Sequence, residues 1–233
     1  MGVNAASTTV TGLTDKNGNT YTVTSDNDGL VNGLVYTLTT PPAPVPADAV
    51  IRGRADASIA FDAISPVSLP GGINVASVAE CPSCGGVAGG PNELAGRTLP
   101  PGIYRSTTGT YDIGGPGHPA ASLTLDAGDD ANAVWVFQTG SLNVGLVGPT
   151  APAVPISVLL VNGAQAKNVF WYVPAGAVIG TGSTMTGTLL ADASITLSTT
   201  GGSPPTAPVT TLNGRAIALT AAVTMTNTVI HVP

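Results

Sequence analysis

The side chains with the greatest chemical reach are few and widely spread. Cys81 and Cys84 form a C-x-x-C, Cys81-Pro82-Ser83-Cys84. A zinc site built on it would need further ligands, and the chain has only two histidines, His118 and His231. A thioredoxin-like redox site would need the pair at a strand–helix junction, whereas these cysteines stand among glycines. A local disulfide, free thiols and a metal or redox site all remain open on spacing; the setting favours a Cys81–Cys84 disulfide, with no metal. Asp126, Asp129 and Asp130 cluster in one loop, and Asp15, Asp26 and Asp28 occupy turn sequences. Such oxygen ligands can bind calcium, but no EF-hand loop or repeated nonapeptide frames them, so turn capping is the expectation. Glu80 and Glu93 are the only glutamates, with no clustered Arg or Lys and no Ser–His–Asp arrangement. The expectation is therefore no enzyme and no cofactor.

The abundant functional group is the hydroxyl: 31 of the 233 residues are threonine. Charged residues make up 9% and the formal net charge is -6. That excludes the basic face a nucleic-acid binder needs to displace counterions, and the polybasic patch of a membrane-surface protein. No apolar run reaches the 18 or so residues of a membrane span, so no membrane insertion is expected. No basic, apolar leader opens the chain, which implies a removed signal or a late start.

These hydroxyls must be positioned by strands. Thr, Val, Gly and Pro interrupt almost every potential helix, and short alternating segments dominate. Thr8–Thr11, Thr20–Thr24 and Val31–Leu38 read as strands, with Asn17-Gly18 as a tight turn. Pro41–Pro46 reads as a stiff linker. The one helix is expected at about 47–64, with Asp48 in its first turn and Ala47, Val50, Ile51, Ala55, Ile59 and Ala63 as its buried stripe. Residues 66–100 form a loop carrying both cysteines. From Gly102 onward short strands follow one another. Leu190–Leu197 resembles Ala218–Met225, a repeat of about 28 residues, which signals a solenoid. Pro-rich insertions at Gly148–Pro155 and Gly201–Pro208 would bulge from its corners.

Several segments, in order, resemble the ice-binding (antifreeze) proteins built as a discontinuous β-solenoid beside one long helix. They are Val31–Tyr36, the Pro-led helix Pro44–Ile64, Leu99-Pro100-Pro101-Gly102-Ile103-Tyr104, Asn132–Gln138, Asn162–Trp171, Gly187–Ala191 and Leu212–Arg215. The resemblance covers almost the whole chain. It implies a mostly β, irregular three-sided parallel solenoid with one α-helix packed alongside, a single domain over 1–233. It further implies a secreted or cell-surface protein that adsorbs to ice. The family carries about two more strands before the segment that Gly2-Val3-Asn4 matches, which implies either a late start of the sequence or an open edge that supports self-association with a neighbouring chain. The alternative is a structural or adhesive surface protein assembling into filaments on the same scaffold.

Strands stack about 4.8 Å apart and same-face residues repeat at about 6.8 Å, so small side chains there make a flat grid. The candidate face is the middle side of the C-terminal coils. Thr196 and Ser198, with Thr224 and Thr226, point outward there, and Ser122 and Thr124 continue the rows in an earlier coil. Val178 and Leu159 face out between them and impair the rows. Trp135, Trp171, Phe137 and Phe170 are expected in packing against the core and helix.

Overall fold

A computed structural model describes residues 1–39, 47–77, 79–81, 84, 90–114, 120–145, 155–198 and 208–233. The linker Pro41–Pro46, His118 and most of the two Pro-rich insertions lie outside these residues. The chain divides into two compact units, Met1–Ala60 and Phe61–Pro233.

In the first unit, β1 (Gly2–Val3), β2 (Leu13–Thr14), β3 (Thr20–Tyr21), β4 (Gly29–Leu30) and β5 (Tyr36–Thr37) form two small sheets. β1 pairs with β5, while β2 lies between β3 and β4. The Asn17-Gly18 turn joins β2 to the antiparallel β3, with Gly18 at φ 81°. Asp15 caps that turn, accepting the Asn17 and Asn19 N–H groups at 2.9 and 3.1 Å. Val10, Tyr21 and Val35 form a small buried cluster. Three expected strands are corrected. Thr20–Thr24 is strand only at Thr20–Tyr21, because Thr22 leaves the extended region at φ 43°. Ser7–Thr9 is a 3-10 turn, closed by Val10 N–H donating to Ser7 O. Of Val31–Leu38 only Tyr36–Thr37 is strand, because Gly33 N–H turns back onto Val31 O at 2.8 Å.

Helix α1 spans Ala47–Ala63, close to its expected bounds. Its expected stripe is corrected: Ile51 and Ile59 are 53% and 69% exposed, whereas Val50 and Phe61 are buried. The less exposed line of the helix runs through the buried Val50 and Phe61 and the half-buried Ala57, rotated from the Ala-rich line, since the large Phe61 ring outweighs several alanines in apolar area.

The second unit is a parallel solenoid. A rudimentary first coil has Ile73 bridging to Tyr104, Glu93 bridging to Asp112, and β6 (Thr98–Leu99). Full coils follow: β7 (Gly102–Arg105), β8 (Thr110–Ile113) and β9 (Leu123–Asp126); then β10 (Trp135–Gln138), β11 (Ser141–Val144) and β12 (Val158–Val161). Next come β13 (Val169–Val173), β14 (Gly176–Ile179), β15 (Thr184–Ala191), β16 (Ser194–Leu197), β17 (Thr210–Ala218), β18 (Val223–Met225) and β19 (Thr228–His231). The strands stack into three sides. The first is built on β7, β10 and β13, the second on β8-β11-β14-β16-β18, and the third on β6, β9 and β12. β15 and β17 run from the third side around a corner onto the first, so the last coils share one six-stranded sheet with it. Ile195 sits opposite Val223 and Leu197 opposite Met225, the offset given by the internal repeat.

Inward residues stack in columns. Tyr104, Phe137, Trp171 and Leu189 lie in register on the first side, all with no exposed surface. Phe137 stacks on Trp171 at 4.0 Å and lies 5.4 Å from Tyr104. Trp135 and Trp171 donate their indole N–H to Leu99 O and Thr186 O, so neither buried donor is left unsatisfied. In the first coil Leu94, Ala95 and Arg97 are buried, and the Arg97 guanidinium donates to Glu93 O at 2.7 Å and Val75 O at 2.9 Å. Burial pushes Arg97 below its ordinary pKa, opposed by the nearby Tyr111 and Glu93. Cys81 and Cys84 are joined by a disulfide in the loop beside it.

The bends of β15 and β17 require Gly187 and Gly214. Gly187 has φ 104°, and a Cβ on Gly214 would stand 1.8 Å from Gly187 O. Gly214→Ala should therefore destabilise the protein by about 3 kcal/mol, the scale of an overpacked core. Gly53, inside α1 with open space around it, provides the opposite case: Gly53→Ala should stabilise by roughly 0.5–1 kcal/mol. Denaturant midpoints of the two variants check both signs.

Candidate functional site

The three sides differ in what they turn outward. On the first, the outward positions carry Val136, Gln138, Phe170, Tyr172 and Leu190. Phe61 packs on Tyr172 at 4.4 Å, and Gln138 donates its amide to Ile64 O and Leu69 O. With Ile103, Arg105 and Thr188 in the same outward registers, that surface mixes large apolar, amide and charged side chains and is partly covered, with Val136, Gln138 and Leu190 buried.

On the second side, Tyr111, Leu142, Ala177 and Ile195 point inward, as do Ile113, Val144, Ile179 and Leu197; each is at most 1% exposed. Strand alternation then fixes the outward residues. One row runs Asp112, Asn143, Val178, Thr196, Thr224. The row beside it runs Thr110, Ser141, Gly176, Ser194 and, at the end of the same register, Ala222. No side chain in either row is longer than asparagine. Two-residue corners lead into β11, β14 and β16 (Thr139-Gly140, Pro174-Ala175, Asp192-Ala193), so these strands start level. The corners are pinned: Thr139 Oγ1 donates to Ser141 O at 2.8 Å, and a Cβ on Gly140 would meet Gly109 O at 2.5 Å.

The structure thus brings Val178, Thr196 and Thr224 into one row. It separates the other expected members. Ser122 and Thr124 belong to the third side, where Thr124 lies between Thr98 and Leu159. Sheet membership follows the strand's place in its coil, which a Thr count does not reveal. Ser198 does not face out: at φ 70° it turns into the corner, is 4% exposed, and shares a 3.1 Å hydrogen bond with Thr181. Thr226 lies beyond the end of β18, half-buried, with its carbonyl accepting the Thr228 hydroxyl. Leu159 is out-facing at 46% exposure, but on the third side. Asp112, Asn143, Ser141, Ser194 and Thr110 were missed. Their signal was the shared tetrapeptide frame of Thr110-Tyr111-Asp112-Ile113, Ser141-Leu142-Asn143-Val144, Gly176-Ala177-Val178-Ile179 and Ser194-Ile195-Thr196-Leu197.

The third side carries one unbroken hydroxyl ladder. The pairing register puts Ser122 beside Ser157, Ser157 beside Thr184 and Thr184 beside Thr211. Its neighbouring row is broken by the exposed Leu159 and by Thr186, which is buried and donates to Val158 O. In its last coil Val229 and His231 are exposed.

The acidic loop is a set of turn caps. Asp126 Oδ1 accepts Gly128 N–H at 2.9 Å and Asn162 Nδ2 at 2.8 Å, and Asp130 Oδ1 accepts Asn132 N–H. Among the described residues no group of three His, Cys, Asp or Glu side chains could hold a metal ion, and no helix is long and apolar enough to cross a membrane.

A parallel β-solenoid with one flat, small-residue side defines the class of protein. The sequence matches the ice-binding-like family over residues 1–231, and the chain belongs to that family. Ice-binding protein 1 of Shewanella frigidimarina is 31% identical over 174 residues, covering 70% of this chain and 16% of that protein. An ice-binding protein of a Nostoc species is 38% identical over 133 residues, covering 57% of this chain and 41% of that one. The chain spans less than half the length of these curated relatives. The crystal structure of an ice-binding protein from the Antarctic ascomycete Antarctomyces psychrotrophicus superposes with a TM-score of 0.64 at 26% identity, covering 100% of this chain and 90% of that one. These relatives are named for binding rather than for catalysis.

The two bonds on Asp126 hold its carboxyl below the ordinary range, Gly128 N–H first and the Asn162 amide second. A depressed folded value adds stability that is present above the unfolded value and is lost as pH falls through the folded one. Asn162→Gly, which keeps the φ of 50° accessible, should raise the Asp126 titration toward the ordinary value. Acid loosening of this corner should then begin at higher pH. Carboxyl NMR shifts against pH measure both; an unmoved titration would leave Gly128 as the sole cause.

Proposed function

We propose that this protein binds ice and inhibits its growth, adsorbing through the outer surface of the second side. The observation that carries this reading is the pair of in-register rows of short side chains across β8-β11-β14-β16-β18. Water at such a surface meets methyl and hydroxyl groups at fixed spacings, about 4.8 Å between strands and about 6.8 Å along them. Both spacings are set by backbone hydrogen bonds, so the backbone is ordered before binding and only side-chain ordering is left to offset. Thr196 and Thr224 each offer a hydroxyl to anchor one water and a methyl that disfavours bulk-like hydration. Many weak contacts then sum over a rigid face, and adsorbed molecules force the ice front to curve between them, which makes further freezing locally unfavourable. The names of the relatives favour ice over the adhesive-filament alternative. An extracellular location is part of the proposal, supported by the Cys81–Cys84 disulfide.

The unbroken ladder Ser122–Ser157–Thr184–Thr211 favours a second reading, with the third side as the contact surface. Tyrosine substitutions separate the two. Thr196→Tyr and Thr224→Tyr should lower ice affinity about ten-fold, the equivalent of about 1.4 kcal/mol of lost contact, with unchanged circular dichroism. Thr211→Tyr should leave thermal hysteresis and recrystallisation inhibition intact. The reverse pattern would move the site to the third side. Absence of activity in the folded parent would reject ice binding.

A further inference from the structure

Resting on that reading, we infer that Asp112 sets the N-terminal limit of the ice-contact area and holds the activity of the second side below what its geometry allows. Asp112 carries the only ionisable side chain in the two outward rows of this sheet. It is half-buried and stands in register with Asn143, in the same row as Val178, Thr196 and Thr224. A carboxylate orients nearby water toward its charge, with donors converging on each oxygen. That arrangement competes with a lattice whose waters donate and accept in fixed tetrahedral directions. Bringing ice against the group would also strip its hydration shell, a large penalty for an ion.

The effect extends one strand further. Asn143 Nδ2 donates to Asp112 Oδ1 at 2.9 Å, so the amide is turned along the row instead of outward to water. Both outward positions at the centres of β8 and β11 are thereby committed to each other. The effective row is left as Val178, Thr196 and Thr224, on β14, β16 and β18. The backbone underneath does not share the defect: Tyr111, Ile113, Leu142 and Val144 are fully buried, and the pairing of β8 with β11 is unbroken over four residue pairs. A neutral short side chain at position 112 would therefore sit on a strand already level with the rest.

Two substitutions separate charge from hydrogen bonding. Asp112→Asn removes the charge and can keep the bond to Asn143; Asp112→Thr removes both and supplies a methyl and a hydroxyl. Thermal hysteresis at matched concentration, with fluorescent labelling of a single-crystal ice hemisphere, provides the readout. Asp112→Thr should raise hysteresis about two-fold as the row lengthens to all five strands, and Asp112→Asn should give part of that gain. Asp56→Asn, an equal charge change on the exposed helix surface, should give none. If Thr224→Tyr abolishes activity while both Asp112 variants leave it unchanged or lower it, the inference fails and the proposed face stands. If Thr224→Tyr has no effect and the Asp112 variants have none either, the proposed face itself is wrong and the inference falls with it.

Discussion

Each strand of the solenoid hydrogen-bonds in parallel to the equivalent strand one coil away, without slippage, so every side chain is stacked on the residue at the same position in the next coil. A slip of one residue would exchange the inward and outward sets of an entire strand. The column Tyr104–Phe137–Trp171–Leu189 is the clearest consequence. Aromatic rings fill the early coils, and an aliphatic side chain succeeds them where the corners tighten. The same ladder that buries these rings holds Val178, Thr196 and Thr224 level on the outside.

Flatness is a property of the corners as much as of the strands. Two-residue connections into β11, β14 and β16 leave no slack to offset one strand from the next. At Gly187 and Gly214 the chain folds from the third side to the first within a single strand, because two successive backbones approach too closely for any Cβ. Rigidity of this kind fixes the repeat distances of a surface that carries little charge.

The scarcity of charge acts at both ends of the chemistry. Inside, the ionic groups at the solenoid's first coil are Glu93 and Arg97, both buried and both bonded to backbone: Glu93 Oε1 accepts Ala95 and Gly114 N–H, and Arg97 donates to carbonyls. Both lie in the rudimentary first coil, where they satisfy backbone groups that would otherwise be buried unpaired. Outside, Asp112 shows how one carboxylate alters a surface made of hydroxyls and methyls: it draws Asn143 toward itself and ends the regular row.

Much of this was legible in the sequence. The internal likeness between Leu190–Leu197 and Ala218–Met225 contains the register of the last two coils, since parallel stacking repeats the inward pattern. The helix bounds follow from Asp48 in the first turn and from Pro66, whose ring disfavours helical backbone at Ser65. The C-x-x-C reads as a local disulfide among glycines. The sequence could not say which sheet each hydroxyl joins. Ser122 and Thr124 have the same alternation as Thr196 and Thr224, but connections of unequal length carry them to a different side. Nor could it show that Ser198 turns inward, because its positive φ accompanies a backbone bond to Ile179 O and a hydroxyl contact to Thr181, both in the preceding coil. Local alternation depends on neighbours one or two residues apart and is written in the chain itself. Membership of a face depends on which distant strand lies alongside, and only the stacked backbone decides that.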